Sequence, residues 1–244
     1  MAKITADKLV KKARSYKGIK ESPVNSNKCI FTEVYCGKHP TSYYRPWYWC
    51  VIFEWYNFMI LGASELFNHG KKCASCNQYV ANNKSQYKKT AKDLLKGDLV
   101  YFTFSNKRTI EHTGIFLKYG KNADTIITVD GNTGSTNEAN GGAVMIRERK
   151  RSCVVGRIRP AYKRRGYTGL FPGQTISIKE KASKKHVKRL QKFLNWALDA
   201  GLEIDGLCGP KTDSWLKVYQ MIRSLRQDGS AGPITRTDMK KFKR

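Results

Sequence analysis

Acidic residues are scarce in this 244-residue chain: 19 Asp and Glu stand against 46 Lys and Arg, a formal charge of +27. Solubility alone needs no such excess, so it points to a polyanionic partner: a nucleic acid, an anionic lipid surface or an acidic wall polymer. Proline is sparse too, at 7 residues, and this excludes a collagen-like chain, while 40% hydrophobic and 11% aromatic content excludes a wholly disordered one. No apolar run approaches the roughly 20 residues a membrane helix requires, so no membrane-spanning segment is expected. An export signal is missing as well. Lys3, Lys8, Lys11, Lys12 and Arg14 interrupt the first sixteen residues too often to leave an apolar signal core, and the chain is expected to be made in the cytoplasm. Cysteine is present but odd in number: Cys29, Cys36, Cys50, Cys73, Cys76, Cys153 and Cys208 argue for free thiols rather than a disulfide framework.

The clearest internal signal is a repeat. Asp205-Gly206-Leu207-Cys208-Gly209-Pro210-Lys211-Thr212 and Asp228-Gly229-Ser230-Ala231-Gly232-Pro233-Ile234-Thr235 both read DGxxGPxT. Asp-Gly makes a tight turn, and Pro fits the first position of a helix, where its missing amide is not needed. Val187, Leu190, Gln191, Leu194 and Leu198 recur at helical spacing before the first copy, as do Trp215, Leu216, Val218, Tyr219, Ile222 and Leu225 between the copies. These predict a small three-helix bundle over residues 184–244. Residues 161–183 lack apolar periodicity, contain Lys163-Arg164-Arg165, Gly166, Gly169, Pro172 and Gly173, and read as a basic linker.

Residues 1–160 read as helices followed by strands. Ile4 to Tyr16 is amphipathic, and Val51 to Leu61 is apolar almost all round, as a buried helix would be. Strands are predicted at Leu99 to Phe104, His112 to Leu117, Thr125 to Val129, Gly142 to Ile146 and Val154 to Ile158. The expected class is α+β with an antiparallel sheet.

Cys50 immediately precedes the apolar helix, where backbone amides and the helix dipole favour a thiolate. His112 heads one predicted strand, and Asp130 and Asn132 end the next. If the helix packs on the sheet, the imidazole can deprotonate the thiol, the carboxylate can orient the imidazole, and amides near Cys50 can form an oxyanion hole. The order Cys, His, Asp or Asn is papain-like. Glu111 reads as a surface or loop residue, because strand neighbours point to opposite faces. Trp47, Tyr48 and Trp49 fit a substrate groove and packing beneath the helix equally well. His69, Cys73 and Cys76 have zinc-like spacing, but one CxxC without a second pair is thin support, and neither a metal nor a cofactor is expected.

Residues 15–160 resemble the CHAP domain (cysteine, histidine-dependent amidohydrolase/peptidase) of bacteriophage endolysins. The resemblance rests on Lys20 to Asn27, Trp49-Cys50, Ser75-Cys76, Lys96-Gly97-Asp98-Leu99-Val100-Tyr101-Phe102, Glu111-His112-Thr113-Gly114-Ile115 and Thr128-Val129-Asp130-Gly131-Asn132-Thr133, in family order. It implies a papain-like fold with Cys50 as nucleophile, His112 as general base, Asp130 as orienting acid and Asn132 as a polar group in an oxyanion or orienting role. Many relatives have Glu where Asp130 stands. Relatives can also carry an Asp-rich stretch before the His, but Ser105 to Ile110 is basic here and no calcium is expected.

Residues 184–244 resemble a peptidoglycan-binding domain of the three-helix type, through Leu190 to Trp196 and both turns, and Tyr167 to Pro172 resembles an endolysin connector. Together these imply a peptidoglycan hydrolase, with N-acetylmuramoyl-L-alanine amidase first and stem- or cross-bridge endopeptidase as the alternative. Its partners would be bacterial peptidoglycan and anionic wall polymers such as teichoic acids, with no specific nucleic acid. It would act on the wall after release from the host cytoplasm. The reading from another class is a non-enzymatic basic nucleic-acid-binding protein, which leaves the Cys–His–Asp order unexplained.

Overall fold

Helix formers with buried faces come first in the chain, and the β-branched and aromatic residues after residue 98 form most of a sheet. The computed structural model describes residues 4–37, 48–105, 109–120, 124–163, 166–180 and 182–243, in two units, Met1–Lys163 and Arg164–Arg244.

In the first unit, helix α1 (Ala6–Arg14) starts where Thr5 accepts a hydrogen bond from the Lys8 amide, and it buries Leu9, Val10 and Ala13. Helices α2 (Ile30–Cys36), α3 (Cys50–Ile60) and α4 (Cys76–Asn82) follow. Strands β1 (Tyr87–Lys88), β2 (Leu99–Phe102), β3 (His112–Tyr119), β4 (Thr125–Thr133), β5 (Ala143–Lys150) and β6 (Val154–Ile158) form one antiparallel sheet in the order β1-β6-β2-β3-β4-β5. Every residue of α3 from Cys50 to Phe58 is buried. A helix apolar on all sides needs cover on all sides: α3 packs on β3 and β4 and is flanked by α1 and α2. Tyr16, Phe31, Phe53 and Tyr56 pack edge to face at 5.1–6.4 Å, and Phe31 stacks on Trp49 at 5.4 Å. Each such buried ring contributes roughly 1.5–3 kcal/mol.

The α+β arrangement follows the sequence expectation. The buried helix begins one residue earlier than its apolar run, at Cys50, and β3, β4 and β5 run further than their apolar cores. Helices α2 and α4, of 7 residues each, and the two-residue β1 are too short to leave a periodic signal.

In the second unit, α5 (Lys184–Leu198), α6 (Pro210–Ile222) and α7 (Pro233–Lys240) form the three helices, with Pro210 and Pro233 at helix starts as their turn motifs predict. The two turns are built alike around a buried glutamine. Gln191 Nε2 donates to Asp205 Oδ1 (2.7 Å) and the Leu207 carbonyl (3.1 Å), and Gln191 Oε1 accepts from the Gly206 amide (3.0 Å). Gln220 repeats the set on Asp228 (2.8 Å), the Ser230 carbonyl (2.9 Å) and the Gly229 amide (3.0 Å).

The stretch read as a linker is packed among its described residues. Tyr162 stacks on Phe58 at 6.3 Å and donates to the Gly97 carbonyl (2.7 Å), so 161–163 belong to the first unit. Tyr167 packs on Phe193 and Trp196, each at 5.3 Å, and Ile176 is fully buried. Three isolated apolar side chains anchor a segment whose overall composition is that of a tether. Arg164, Arg165 and Lys181 lie outside the described residues.

Gln220→Ala leaves the polar groups of the second turn unsatisfied. It is expected to lower stability by about 1–3 kcal/mol, read as a reduced urea midpoint; an unchanged midpoint contradicts this account of the turn.

Candidate functional site

Cys50 is the first residue of α3, with Trp49 as the preceding cap. Trp49 is fully buried and donates from Nε1 to Glu21 Oε1 (2.8 Å), so it packs beneath the helix rather than lining a groove; Tyr48 is 62% exposed, and Trp47 lies outside the described residues. Packing α3 closely on β4 requires glycine at 131, where a Cβ would lie 2.4 Å from Phe53 Cβ.

This packing brings Cys50 to His112. Nε2 of His112 lies 3.2 Å from Asp130 Oδ2, leaving Nδ1 as the ring nitrogen available to the thiol. Nδ1 makes no well-formed hydrogen bond among the described residues, yet thiol and imidazole are close enough to shift one another. Against burial, the Asp130 bond and the neighbouring Cys50 push His112 up to about 9. Cys50 is held well below the ordinary thiol range by the Cys76 thiol beside it, then by His112 and by the Val51 amide, against the opposing effect of burial. The arrangement favours a thiolate–imidazolium pair at neutral pH.

Asp130 is fully buried. Burial works against its charge, but the bond to His112 and the Arg149 guanidinium outweigh it and keep the carboxyl below its ordinary value. Arg149 donates to Oδ2 from Nε (3.0 Å) and Nη2 (2.7 Å), and its guanidinium lies over the rings of Phe102 and Phe104 at 5.1 and 4.9 Å. Gly114 makes the space, since a Cβ there would fall 2.1 Å from Asp130 Oδ1. Asn132 is buried nearby with φ 59°. Its Oδ1 accepts from the Gly142 amide at 3.2 Å, and its Nδ2 has no partner among the described residues. Between the two residues proposed to orient the ring, the carboxylate of Asp130 makes the bond to His112. Glu111 turns away to the preceding loop, where it accepts from the Phe104 amide (2.5 Å) and the Ser105 amide (3.1 Å). Asn106, Lys107 and Arg108 lie outside the described residues.

Two residues of this site, Arg149 and Glu54, escaped the sequence reading, and a third, Cys76, was read only in the Ser75-Cys76 motif and as a thin zinc-ligand candidate. Arg149 sits nineteen positions from Asp130, on β5. Cys76 Sγ is 3.8 Å from Cys50 Sγ. Glu54, one turn beyond Cys50, is fully buried, and burial raises its carboxyl well above the ordinary 4.5. Hydrogen-bond accounting agrees: the Thr113 hydroxyl has one proton but faces both Glu54 Oε1 (2.8 Å) and the Val100 carbonyl (3.0 Å). A protonated Glu54 donating to Thr113, which then donates to Val100, satisfies both contacts. The i, i+4 spacing of Cys50 and Glu54 on an otherwise apolar helix was the available signal.

In the second unit, the exposed Lys184, Lys185, Lys188 and Lys192 and the half-buried Arg189 line a groove of about 580 Å³ with Gly169 and Leu170. Among the described residues no group of three or more His, Cys, Asp and Glu side chains is placed to hold a metal, and no helix is long and apolar enough to cross a membrane.

A buried neutral Glu54 loses stability as pH rises above 4.5, because the unfolded chain ionises there and the folded chain does not. Glu54→Gln is therefore expected to match the wild-type melting temperature near pH 4 and to exceed it increasingly toward pH 8. An equal melting temperature across that range contradicts a protonated Glu54.

Residues 183–239 match the family model described as "Putative peptidoglycan binding domain". No curated protein matches the chain. The three-helix unit with its paired Asp-Gly turns is thus a peptidoglycan-binding domain, which suggests a cell-wall-associated protein.

Proposed function

We propose that the first unit is a papain-like, CHAP-type cysteine hydrolase that cleaves an amide bond of peptidoglycan, as a phage endolysin does, while the second unit holds it on its substrate. The observation that carries this reading is Cys50 at a helix N-terminus beside an imidazole bonded to a buried carboxylate, on a chain that also bears a peptidoglycan-binding domain. In the proposed reaction the Cys50 thiolate attacks the amide carbonyl, and His112 protonates the leaving amine. Water activated by His112 then hydrolyses the thioester. Asp130, fixed by Arg149, keeps the ring in one orientation, and amides at the start of α3 face the developing oxyanion. N-acetylmuramoyl-L-alanine amidase is the first assignment and endopeptidase the alternative. Tethering raises the effective concentration of the hydrolase at the wall, on the order of mM for a short connection. The protein would act at the wall after release from the cytoplasm in which it is made.

The cluster of Lys184, Lys185, Lys188, Arg189 and Lys192 on α5 gives part of the charge of +27 a place to act, and an anionic wall polymer of the teichoic acid kind is the partner it favours. A nucleic acid would answer to the same charge, but it accounts for neither the peptidoglycan-binding domain nor the buried Cys–His–Asp group.

Mass spectrometry of fragments released from purified peptidoglycan is the test. Wild type is expected to release fragments and Cys50→Ala none. Free lactyl ends with intact peptides assign an amidase, and breaks within the peptide assign an endopeptidase. Activity should fall above about pH 9 as the His112 imidazolium loses its proton, and in acid as Cys50 gains one. Silence of both proteins on walls of several types removes the hydrolase reading.

Replacing Lys185, Lys188 and Lys192 together by Glu is expected to weaken retention on polymer-bearing walls at low salt several-fold, with little effect on walls stripped of anionic polymer. Equal loss on both kinds of wall contradicts a polymer site on α5, and tight nucleic-acid binding abolished by the same changes supports the other class of partner.

A further inference from the structure

Two thiols meet where the first turns of α3 and α4 converge. Cys50 and Cys76 are each the first residue of their helix, their sulfurs are 3.8 Å apart, and they are 4% and 8% exposed. Both cysteines are free, as are the other five. The separation is van der Waals contact, and a disulfide requires the sulfurs to close to roughly 2.05 Å. The partners are chemically unequal. Cys50 is held toward the thiolate by Cys76, His112 and the Val51 amide, whereas Cys76, facing that sulfur, is held well above the ordinary thiol value and stays protonated. An attacking thiolate beside a protonated thiol is the division of labour found between a peroxidatic and a resolving cysteine.

We propose that Cys50 and Cys76 form a redox pair, in which a hydroperoxide oxidises Cys50 and Cys76 closes a reversible disulfide over it. In the first step the Cys50 thiolate attacks the peroxide; an S–O bond forms, the O–O bond breaks, and the alkoxide or hydroxide leaves with a proton as an alcohol or water. In the second step Cys76 attacks Cys50 Sγ. The S–S bond forms, the S–O bond breaks, and the departing hydroxide takes the Cys76 proton as water. Two thiols lose two electrons in total, and one hydroperoxide is reduced. The disulfide removes the nucleophile, and a dithiol restores it. Regulation of wall cleavage by this step rests on the hydrolase reading above; the oxidation itself does not.

The two other buried cysteines have different neighbours. Cys29 Sγ faces Thr32 Oγ1 at 3.7 Å, and Cys73 donates to the Ser75 carbonyl at 3.4 Å. Nearby groups also favour resolution over further oxidation. Cys76 already touches the sulfur that becomes the sulfenic acid, so capture is intramolecular, whereas further oxidation needs an encounter with a second peroxide.

The test uses the full chain, without substrate, treated with a few equivalents of hydrogen peroxide, enough to carry a thiol past the sulfenic acid, then alkylated and mapped by peptide mass spectrometry. Wild type is expected to lose two hydrogens and yield a linked peptide containing Cys50 and Cys76, reversed by dithiothreitol. Cys76→Ser is expected to accumulate Cys50 with two added oxygens, which dithiothreitol does not reverse. A wild-type Cys50 that takes up two oxygens as readily as the variant overturns the proposal. So does an unreacted Cys50, or one linked to another cysteine. The wild-type map decides alone if the variant does not fold. A linked peptide in a protein that releases nothing from peptidoglycan supports the pair and counts only against the hydrolase reading.

Discussion

The buried carboxylate of Asp130 is the constraint around which the first unit is arranged. An unpaired ionised carboxylate in such a place would take up a proton or prevent folding. Here Arg149 supplies two hydrogen bonds and His112 a third contact, and Gly114 leaves the space the carboxylate occupies. Arg149 is itself almost fully buried and lies on Phe102 and Phe104, the rings that also flank His112 at 6.1 and 6.2 Å. Removing one partner from such a group leaves a bare internal charge, which typically costs about 3–5 kcal/mol. The orientation of His112 is thus tied to β5, a strand that carries no part of the Cys–His–Asp order.

Glu54 shows the opposite solution in the same core. Its carboxyl bonds a hydroxyl and has no ion-pair partner among the described residues, so burial stores it neutral, whereas Asp130 meets a guanidinium and an imidazole and is stored charged. Two carboxyls of similar intrinsic acidity are driven apart by surroundings alone. The neutral state of Glu54 matters for Cys50, because a second negative charge one helical turn away would oppose the thiolate.

Much of this was legible in the chain. Cys50 ahead of an all-apolar run, the strands opening at His112 and ending past Asp130, and the doubled DGxxGPxT motif all express local rules, and all three lie where those rules put them. Arg149, the contact of Cys76 with Cys50 and the neutral state of Glu54 were not legible, since each follows from which side chain the folded sheet and helices bring opposite another. Composition misread 161–183 for a related reason. It averages over the segment, whereas Tyr162, Tyr167 and Ile176 act singly. Trp49 went to the interior because its indole N–H finds Glu21 there, a partner twenty-eight residues away.

The positive charge is not of one kind. In the first unit Arg149, Arg157 and Arg159 are turned onto Asp130, Asp93 and Asp98, where each guanidinium is offset by a carboxylate and adds little to the external field. On α5, Lys184, Lys185, Lys188, Arg189 and Lys192 share one open groove, where His186 is held below its ordinary value by partial desolvation and then by Arg189, Lys185 and Arg236. Only unpaired, clustered charge steers a polyanion at physiological salt, where the screening length is about 8 Å. The excess of +27 remains after every such pair has cancelled, and the α5 cluster places part of it on the peptidoglycan-binding domain itself.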